Sequence, residues 1–135
     1  RMALIEACKT GIIDAIISDH SPVDIEAKKI EYDHADFGII SLQTNFPALR
    51  DGLKSHLDEA QIIKLLNQGP AKILGKKAHE IKVNEPANFT LWKDEEWTLT
   101  KANIHSKSKN SPFIGKSFST KIIGTAAKGS LSYFN

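Results

Sequence analysis

The stretch IISDHSP at residues 16–22 decides how the rest of this 135-residue sequence is interpreted. A short run of β-branched residues ends there in an acid, a histidine and a proline-bearing loop. Such apolar runs are typical of buried parallel strands, and α/β barrels place their chemistry at the carboxyl ends of those strands. We therefore predict a strand over residues 12–18, buried from Ala15 to Ser18, that delivers the carboxylate of Asp19 to this face.

The overall composition argues against several functional classes. Hydrophobic residues make up 41% of the chain, charged residues 25%, and the net charge is +2, which indicates neither disorder nor nucleic-acid binding. No apolar run is long enough to span a bilayer and no signal peptide is visible, so we expect no membrane association. The single cysteine, Cys8, favours a reducing, cytoplasmic compartment and a place in the core. Because the chain starts at Arg1 rather than Met, we expect a piece of a longer protein.

The first 80 residues follow helical periods that a long polar loop interrupts. A capping box at residues 58–61 marks the start of one helix, and Gly69-Pro70 is expected to break it. The other predicted elements are a helix over 2–9 ending at Gly11, a polar loop over 19–37 with one helical turn at 24–28, a helix over 38–53, and a short helix over 71–74 ending at Gly75.

After about residue 80 the pattern changes to the alternation typical of strands. Lys128-Gly129 is expected to form a hairpin turn between the last two of them. The sequence therefore predicts an α/β part at residues 1–80 and a small β part at residues 81–135. The predicted strands span residues 89–92, 97–100, 120–125 and 130–134, with a polar stretch over 101–115.

Five motifs resemble those of the dihydroorotases, which are cyclic amidohydrolases. Their order and spacing match that family over nearly the full chain. The resemblance implies the C-terminal piece of a (β/α)8 amidohydrolase barrel, with its last strand and following helices at 1–80 and part of the accompanying β-sandwich at 81–135. The motifs are DHSP at 19–22, FGIISLQT at 37–44, GPAKILG at 69–75, EPANFTLW at 85–92 and KSKNSPFIG at 107–115.

The resemblance implies a zinc-dependent hydrolase that reversibly opens dihydroorotate to N-carbamoyl-aspartate in pyrimidine biosynthesis. It makes Asp19 a metal ligand and the catalytic proton shuttle, and it makes Phe37 and Gly38 substrate-binding residues. Taken without the resemblance, Asp19 could equally cap the turn that follows it. The family's other metal ligands are missing from the sequence, so we expect the piece itself to bind zinc poorly and to be inactive.

Three positions depart from the family pattern. Val23 replaces a histidine that helps to hold the substrate carboxylate, Asp36 stands where many relatives have proline, and Gln43 replaces glutamate. Since valine neither donates a hydrogen bond nor carries charge, that contact is lost. Three interpretations stay open: a working dihydroorotase, a catalytically silent dihydroorotase-like scaffold for aspartate transcarbamoylase, and a cyclic amidase for hydantoin-like or allantoin-like rings.

The expected partners are a small-molecule substrate, further copies of the chain and aspartate transcarbamoylase. We also expect the isolated piece to associate with itself through exposed strand edges. Adjacent residues of a strand point to opposite sides, so His20 is expected to support or pack beside Asp19 rather than to bind metal. The other histidines show no ligand spacing and are expected at the surface: His34, His56, His79 and His105.

Overall fold

Helices and a three-stranded antiparallel sheet make up the computed structural model, which describes residues 1–134. The strands are hydrogen-bonded in the order β1-β2-β3. None of the helices described for residues 1–134 has the length and apolar character that crossing a bilayer demands. The helices are α1 (Met2–Lys9), α2 (Asn45–Leu53), α3 (Glu59–Ile63) and α4 (Gly69–Ile73), with a π-helical turn at Lys64–Gln68 and 3-10 turns at Glu26–Lys28 and Leu42–Thr44; the strands are β1 (Phe89–Thr98), β2 (Ser117–Ala127) and β3 (Ser130–Tyr133).

The prediction of a strand over residues 12–18 is wrong. Helix α1 ends as predicted, with Gly11 in the left-handed region at φ 74°, but the residues that follow have no regular structure. A strand requires a neighbour that completes its ladder of hydrogen bonds, and within residues 1–134 no strand pairs with residues 12–18. The isolated parallel bridge nearby joins His20, which follows this range, to Ile39. Ile17, which was predicted to be buried, is 75% exposed.

The helix predicted over residues 38–53 starts later than expected. Helix α2 begins at Asn45, after the 3-10 turn, because the preceding backbone is extended to reach another part of the chain. The N–H of Ile40 donates to the carbonyl of Asn110 over 3.1 Å. Pro47 lies in the first turn of α2, where a missing N–H costs no helical hydrogen bond.

The single helical turn predicted in the loop over 19–37 is confirmed by the 3-10 turn at Glu26–Lys28.

The capping box of α3 is confirmed, but its helix does not break at Gly69-Pro70. Helical backbone continues from α3 through the π-helical turn into α4. In a π-helical turn each carbonyl accepts the N–H of the residue five positions further along the chain. For Leu65 that residue is Pro70, which has no N–H. The carbonyl of Leu65 instead accepts the N–H of Ile16 over 3.0 Å. The proline therefore opens a binding position for the segment that leads to Asp19.

Two predicted strands, at 89–92 and 97–100, are one continuous strand, β1. Its pairing with β2 shifts register between Leu91 and Trp92 and again between Asp94 and Trp97, which interrupts the alternation of side chains. The hairpin between β2 and β3 is confirmed. Both turn residues have positive φ, 51° at Lys128 and 77° at Gly129, as a type I′ turn requires.

Two clusters of buried residues hold these elements together. Leu57, Ile62 and Leu65 form one, and half-buried Cys8 packs against it, in line with its predicted place in the core. The other joins Ile40 to residues of the β part and therefore fastens the two halves of the chain to each other. Its buried members are Ile40, Leu99, Ile104 and Phe118. The division at residue 80 stays a prediction.

Candidate functional site

Asp19 follows the irregular segment and has an exposed carboxylate. Its φ of 45° lies in the left-handed region, which non-glycine residues seldom occupy and which aspartate tolerates better than most. No backbone N–H within residues 1–134 donates to this carboxylate, so the alternative role as a cap of the following turn finds no support. A strained backbone with a free carboxylate is typical of residues held for a function, which motivates the hypothesis that Asp19 is catalytic.

The imidazole of His20 is turned toward the backbone of another segment. Its Nδ1 accepts the N–H groups of Ser41 and Leu42, each over 3.1 Å. Because Nδ1 accepts, the proton of the neutral ring lies on Nε2. The hydroxyl of Ser41 also donates to the carbonyl of Ser18. His20 therefore holds residues 41–42 beside the Asp19 segment, in agreement with a supporting role.

Phe37 and Gly38, the predicted substrate-binding residues, lie beside the loop that follows Asp19. The N–H of Ser21 donates to the carbonyl of Ile39 over 2.9 Å. Gly38 has a φ of 121°, and a Cβ added to it would lie 2.7 Å from the Oγ of Ser21, so only glycine permits this approach. The side chain of Phe37 is 98% exposed. Their role in substrate binding stays a prediction.

A cleft with a volume of about 550 Å³ opens beside Val23. The carbonyl of Val23 accepts the hydroxyl of Ser108 over 2.7 Å, which ties this loop to the polar stretch at 101–115. Sequence analysis described that stretch only as polar and missed its part in the cleft, since nothing local indicates a contact 85 residues away. The cationic residues lining the cleft are Lys29, Lys101, Lys107 and Lys109.

The other two departures from the family pattern have different surroundings. Both ends of the Gln43 amide are used, since Nε2 donates to the carbonyl of Asn103 over 2.8 Å and Oε1 accepts the N–H of His105 over 3.0 Å. Asp36 is exposed, and its backbone carbonyl accepts the ammonium of Lys28. Gln43 therefore has a structural use that a glutamate could not fully copy.

The described residues do not by themselves fit a zinc ion. Within residues 1–134 no three side chains from the His, Cys, Asp and Glu set lie together as a ligand group. Structural and catalytic zinc sites use at least three protein ligands. Among the other histidines, His34, His79 and His105 are exposed as predicted, whereas His56 is half-buried.

Comparison with protein-family models finds no match. Comparison with curated proteins finds a dihydroorotase of Elusimicrobium minutum, 41% identical over 136 residues, and one of Geobacter sp., 37% identical over 135 residues. The matches cover 98% and 96% of this chain. They cover 32% of each relative, so the chain spans about a third of the length of the curated relatives it matches.

Solved structures of cyclic amidohydrolases share the fold. A D-hydantoinase from Thermus sp. superimposes with a TM-score of 0.84 at 21% identity, over 98% of this chain and 31% of its own. A dihydroorotase from Campylobacter jejuni gives 0.62 at 20% identity, over 90% of this chain and 33% of its own. The inactive dihydroorotase-like domain of a Chaetomium thermophilum multifunctional protein gives 0.59 at 19% identity, over 96% and 34%. The solved structures show the shared fold, and the sequence identities show that this chain is a homologue of dihydroorotases over about a third of their length.

Proposed function

We propose that the natural protein containing this chain is a zinc-dependent dihydroorotase, which reversibly hydrolyses dihydroorotate to N-carbamoyl-aspartate. The observation that carries the proposal is the retention of Asp19, at the end of the segment that precedes the loop, in a chain 41% identical to a dihydroorotase. The exposed carboxylate and positive φ of this residue suit a group that meets a substrate.

The proposal places this chain as the last strand, the following helices and part of the β-sandwich of a (β/α)8 enzyme. Its apolar exposure supports that placement, because Ile12, Ile17 and Phe37 are 76%, 75% and 98% exposed. Large apolar side chains as exposed as these suit positions that another part of a protein would cover. In a barrel, a neighbouring strand would complete the hydrogen bonds of residues 12–18 and bury these side chains.

In the proposed reaction Asp19 handles the proton. Water attacks the carbonyl carbon of the cyclic amide, and the carboxylate accepts the proton that the water loses. The ring C–N bond then breaks, and the same proton passes to the departing amide nitrogen. The product is a new carboxylate, so hydrolysis releases one proton overall. Zinc belongs to the proposal with Asp19 as one ligand, and its other ligands lie outside residues 1–134.

A silent scaffold that supports aspartate transcarbamoylase is the second candidate function. Val23 favours it, because the side chain that replaces a carboxylate-binding histidine neither donates a hydrogen bond nor carries a charge. The retained carboxylate of Asp19 favours the enzyme, since a scaffold has no need of a proton acceptor. The likeness to a hydantoinase lies at 21% identity and concerns the fold alone, so hydantoin-like rings enter as substrates to be assayed.

The experiment is a turnover assay of the natural protein, purified with zinc, on dihydroorotate and on hydantoin. We expect Asp19→Asn to lower kcat for dihydroorotate by about 100-fold or more, the usual contribution of a proton-transfer group. Asp33→Asn, an exposed acid in the same loop, is the matched control and should change kcat less than about twofold.

Absence of turnover in the unsubstituted protein would reject the enzyme. Co-purification with aspartate transcarbamoylase would then test the scaffold. If the protein turns over hydantoin but does not turn over dihydroorotate, it is a cyclic amidase for hydantoin-like rings instead.

A further inference from the structure

We propose that Ser41 is a positioning residue for Asp19, because it holds the chain on both sides of that acid. The inference rests on the proposed function, in which the carboxylate of Asp19 carries the proton. No backbone N–H within residues 1–134 donates to this carboxylate, and its side chain is exposed. The course of the backbone through Asp19 therefore decides where the carboxylate points.

The two contacts of Ser41 fall on the two residues that flank Asp19. The hydroxyl of Ser41 donates to the carbonyl of Ser18, and the N–H of Ser41 donates to Nδ1 of His20 over 3.1 Å. Between these two contacts, the backbone of Asp19 has a φ of 45°. A residue other than glycine keeps such a conformation only where the surrounding structure enforces it. Ser41 is thus placed to enforce it from both sides.

Ser41 is itself firmly anchored in the fold. It is 9% exposed, and Ile40 before it is 5% exposed in the cluster that joins the two halves of the chain. The carbonyl of Ser41 accepts the N–H and the hydroxyl of Thr44, over 3.0 and 3.1 Å, and Thr44 is 2% exposed. Side chains that packing and further hydrogen bonds lock in place can hold a reacting group in a fixed geometry. Ser41 therefore transmits the rigidity of the core to an exposed segment.

The hydroxyl of Ser41 is the part of this arrangement that a substitution can remove. The residues after Asp19 have a backbone contact that survives such a change, since the N–H of Ser21 donates to the carbonyl of Ile39 over 2.9 Å. Before Asp19, the contact that holds the carbonyl of Ser18 is the hydroxyl itself. Loss of the hydroxyl should therefore free one side of Asp19 and leave the other side fixed, so that the carboxylate moves while the loop stays folded.

Steady-state kinetics of the natural protein, purified with zinc, test the inference with Ser41→Ala. We expect kcat for dihydroorotate to fall about tenfold or more while KM stays within about twofold, because a misplaced catalytic group slows the reaction without weakening binding. Ser41→Thr keeps a hydroxyl and should restore about half of kcat or more. The matched control is Ser119→Ala, which removes a hydroxyl that donates to Asp51 and should change kcat less than about twofold.

Crystal structures of the same variants supply a readout that needs no turnover. In Ser41→Ala we expect the φ of Asp19 to leave the left-handed region and its carboxylate to move, whereas Ser41→Thr and Ser119→Ala should keep φ near the original 45°. If Ser41→Ala does not fold, Ser41→Cys takes its place in both experiments, because a thiol occupies the position of the hydroxyl but is a weak donor.

The inference is overturned if Asp19 keeps its place in Ser41→Ala, if kcat is unchanged although Asp19 has moved, or if kcat falls equally in the control. Turnover that requires Asp19 but is indifferent to Ser41 would reject this inference and leave the proposed function standing. If the unsubstituted protein has no turnover, the dihydroorotase is rejected, and the crystal structures alone decide whether Ser41 positions Asp19.

Discussion

Gly69 and the carbonyl oxygen of Asp14 are so close that a Cβ on Gly69 would lie 1.8 Å from that oxygen. The next residue, Pro70, leaves the carbonyl of Leu65 free to accept the N–H of Ile16 over 3.0 Å. Together the two residues seat residues 14–16 on the helical region and thereby set the course of the chain into Asp19. The Gly-Pro pair that was predicted to end the helix is therefore the place where residues 14–16 pack against it.

Gly69→Ala is expected to destabilise the protein. The added methyl group overlaps backbone, which cannot rotate away as a side chain can, so the segment at 14–16 must shift. Overpacking of this kind costs about 1–3 kcal/mol, and a backbone obstacle places the effect at the upper end. Chemical unfolding followed by circular dichroism measures the loss.

Gly52→Ala is the matched control for that substitution. Gly52 lies inside α2, and nothing stands within 4 Å of the position that its Cβ would take. Alanine is the better helix former, so this variant should gain about 0.5–1 kcal/mol. A Gly69→Ala protein as stable as the original would show that residues 14–16 are not held by the helix.

Gln43→Glu would restore the family residue and is nevertheless expected to destabilise this chain. The Nε2 of Gln43 donates to the carbonyl of Asn103 over 2.8 Å, and a carboxylate would place a second acceptor there. The expected loss is about 1–3 kcal/mol, the cost of an unsatisfied polar group. Thermal unfolding at neutral pH measures it.

The variant Gln43→Met provides the comparison for this prediction, because methionine has a similar length and brings no charge. If Gln43→Glu unfolds at the same temperature as the original protein, the loop at 103–105 must adapt and the hydrogen bond to Asn103 carries little stability.

Asp51 is expected to make the protein less stable in acid. Burial raises the pKa of this carboxyl, but hydrogen bonds from the hydroxyl and the N–H of Ser119, together with the charge of Lys54, outweigh burial and lower it below its ordinary 3.8. Because the folded pKa is the lower one, the stabilisation is complete above the ordinary value and is lost as the pH falls through the folded value.

Urea unfolding across pH tests this expectation with Asp51→Asn. The difference in free energy of unfolding between the original protein and the variant should be constant above about pH 5 and shrink as the pH falls below it. Ser119→Ala removes one of the donors to the carboxylate and should reduce the pH dependence in part. A difference that is the same at every pH would contradict the role given to Asp51.

Arg50 joins the helices to the sheet through several groups at once. Its guanidinium lies 4.3 Å from the ring centroid of Trp92, donates to Thr120 over 2.9 Å and pairs with Asp94. Its Nε lies 3.1 Å from an oxygen of Glu59 that has no hydrogen-bond partner, so this contact is an ion pair without hydrogen-bond alignment.

Arg50→Lys is expected to cost about 2 kcal/mol, because an ammonium keeps the charge but cannot stack flat on Trp92 while it reaches two other groups. Lys93→Met, which removes an exposed lysine paired with Glu95, serves as the control and should cost less than about 1 kcal/mol. If chemical unfolding shows that Arg50→Lys costs no more than the control, the positive charge, which lysine keeps, accounts for the contribution of Arg50.

The sequence alone determined features whose cause lies within a few residues. The capping box at Asp58–Gln61 and the type I′ turn at Lys128-Gly129 depend on side chains and φ preferences of adjacent residues, so they are legible without partners. The family motifs likewise identified the dihydroorotase homologue before any fold was known.

Tertiary structure decided the features whose cause lies far along the chain. Whether residues 12–18 form a strand depends on a neighbouring strand that accepts their hydrogen bonds. At Gly69-Pro70, the carbonyl of Leu65 that the proline leaves free accepts the N–H of Ile16, more than fifty residues away in the sequence. The stretch at 101–115 could be predicted only as polar, and its part in the cleft became visible through the hydrogen bond from Ser108 to the carbonyl of Val23. Hydrogen bonds between distant segments have no local signature in the sequence, because the donor and the acceptor come within bonding distance only when the chain has folded.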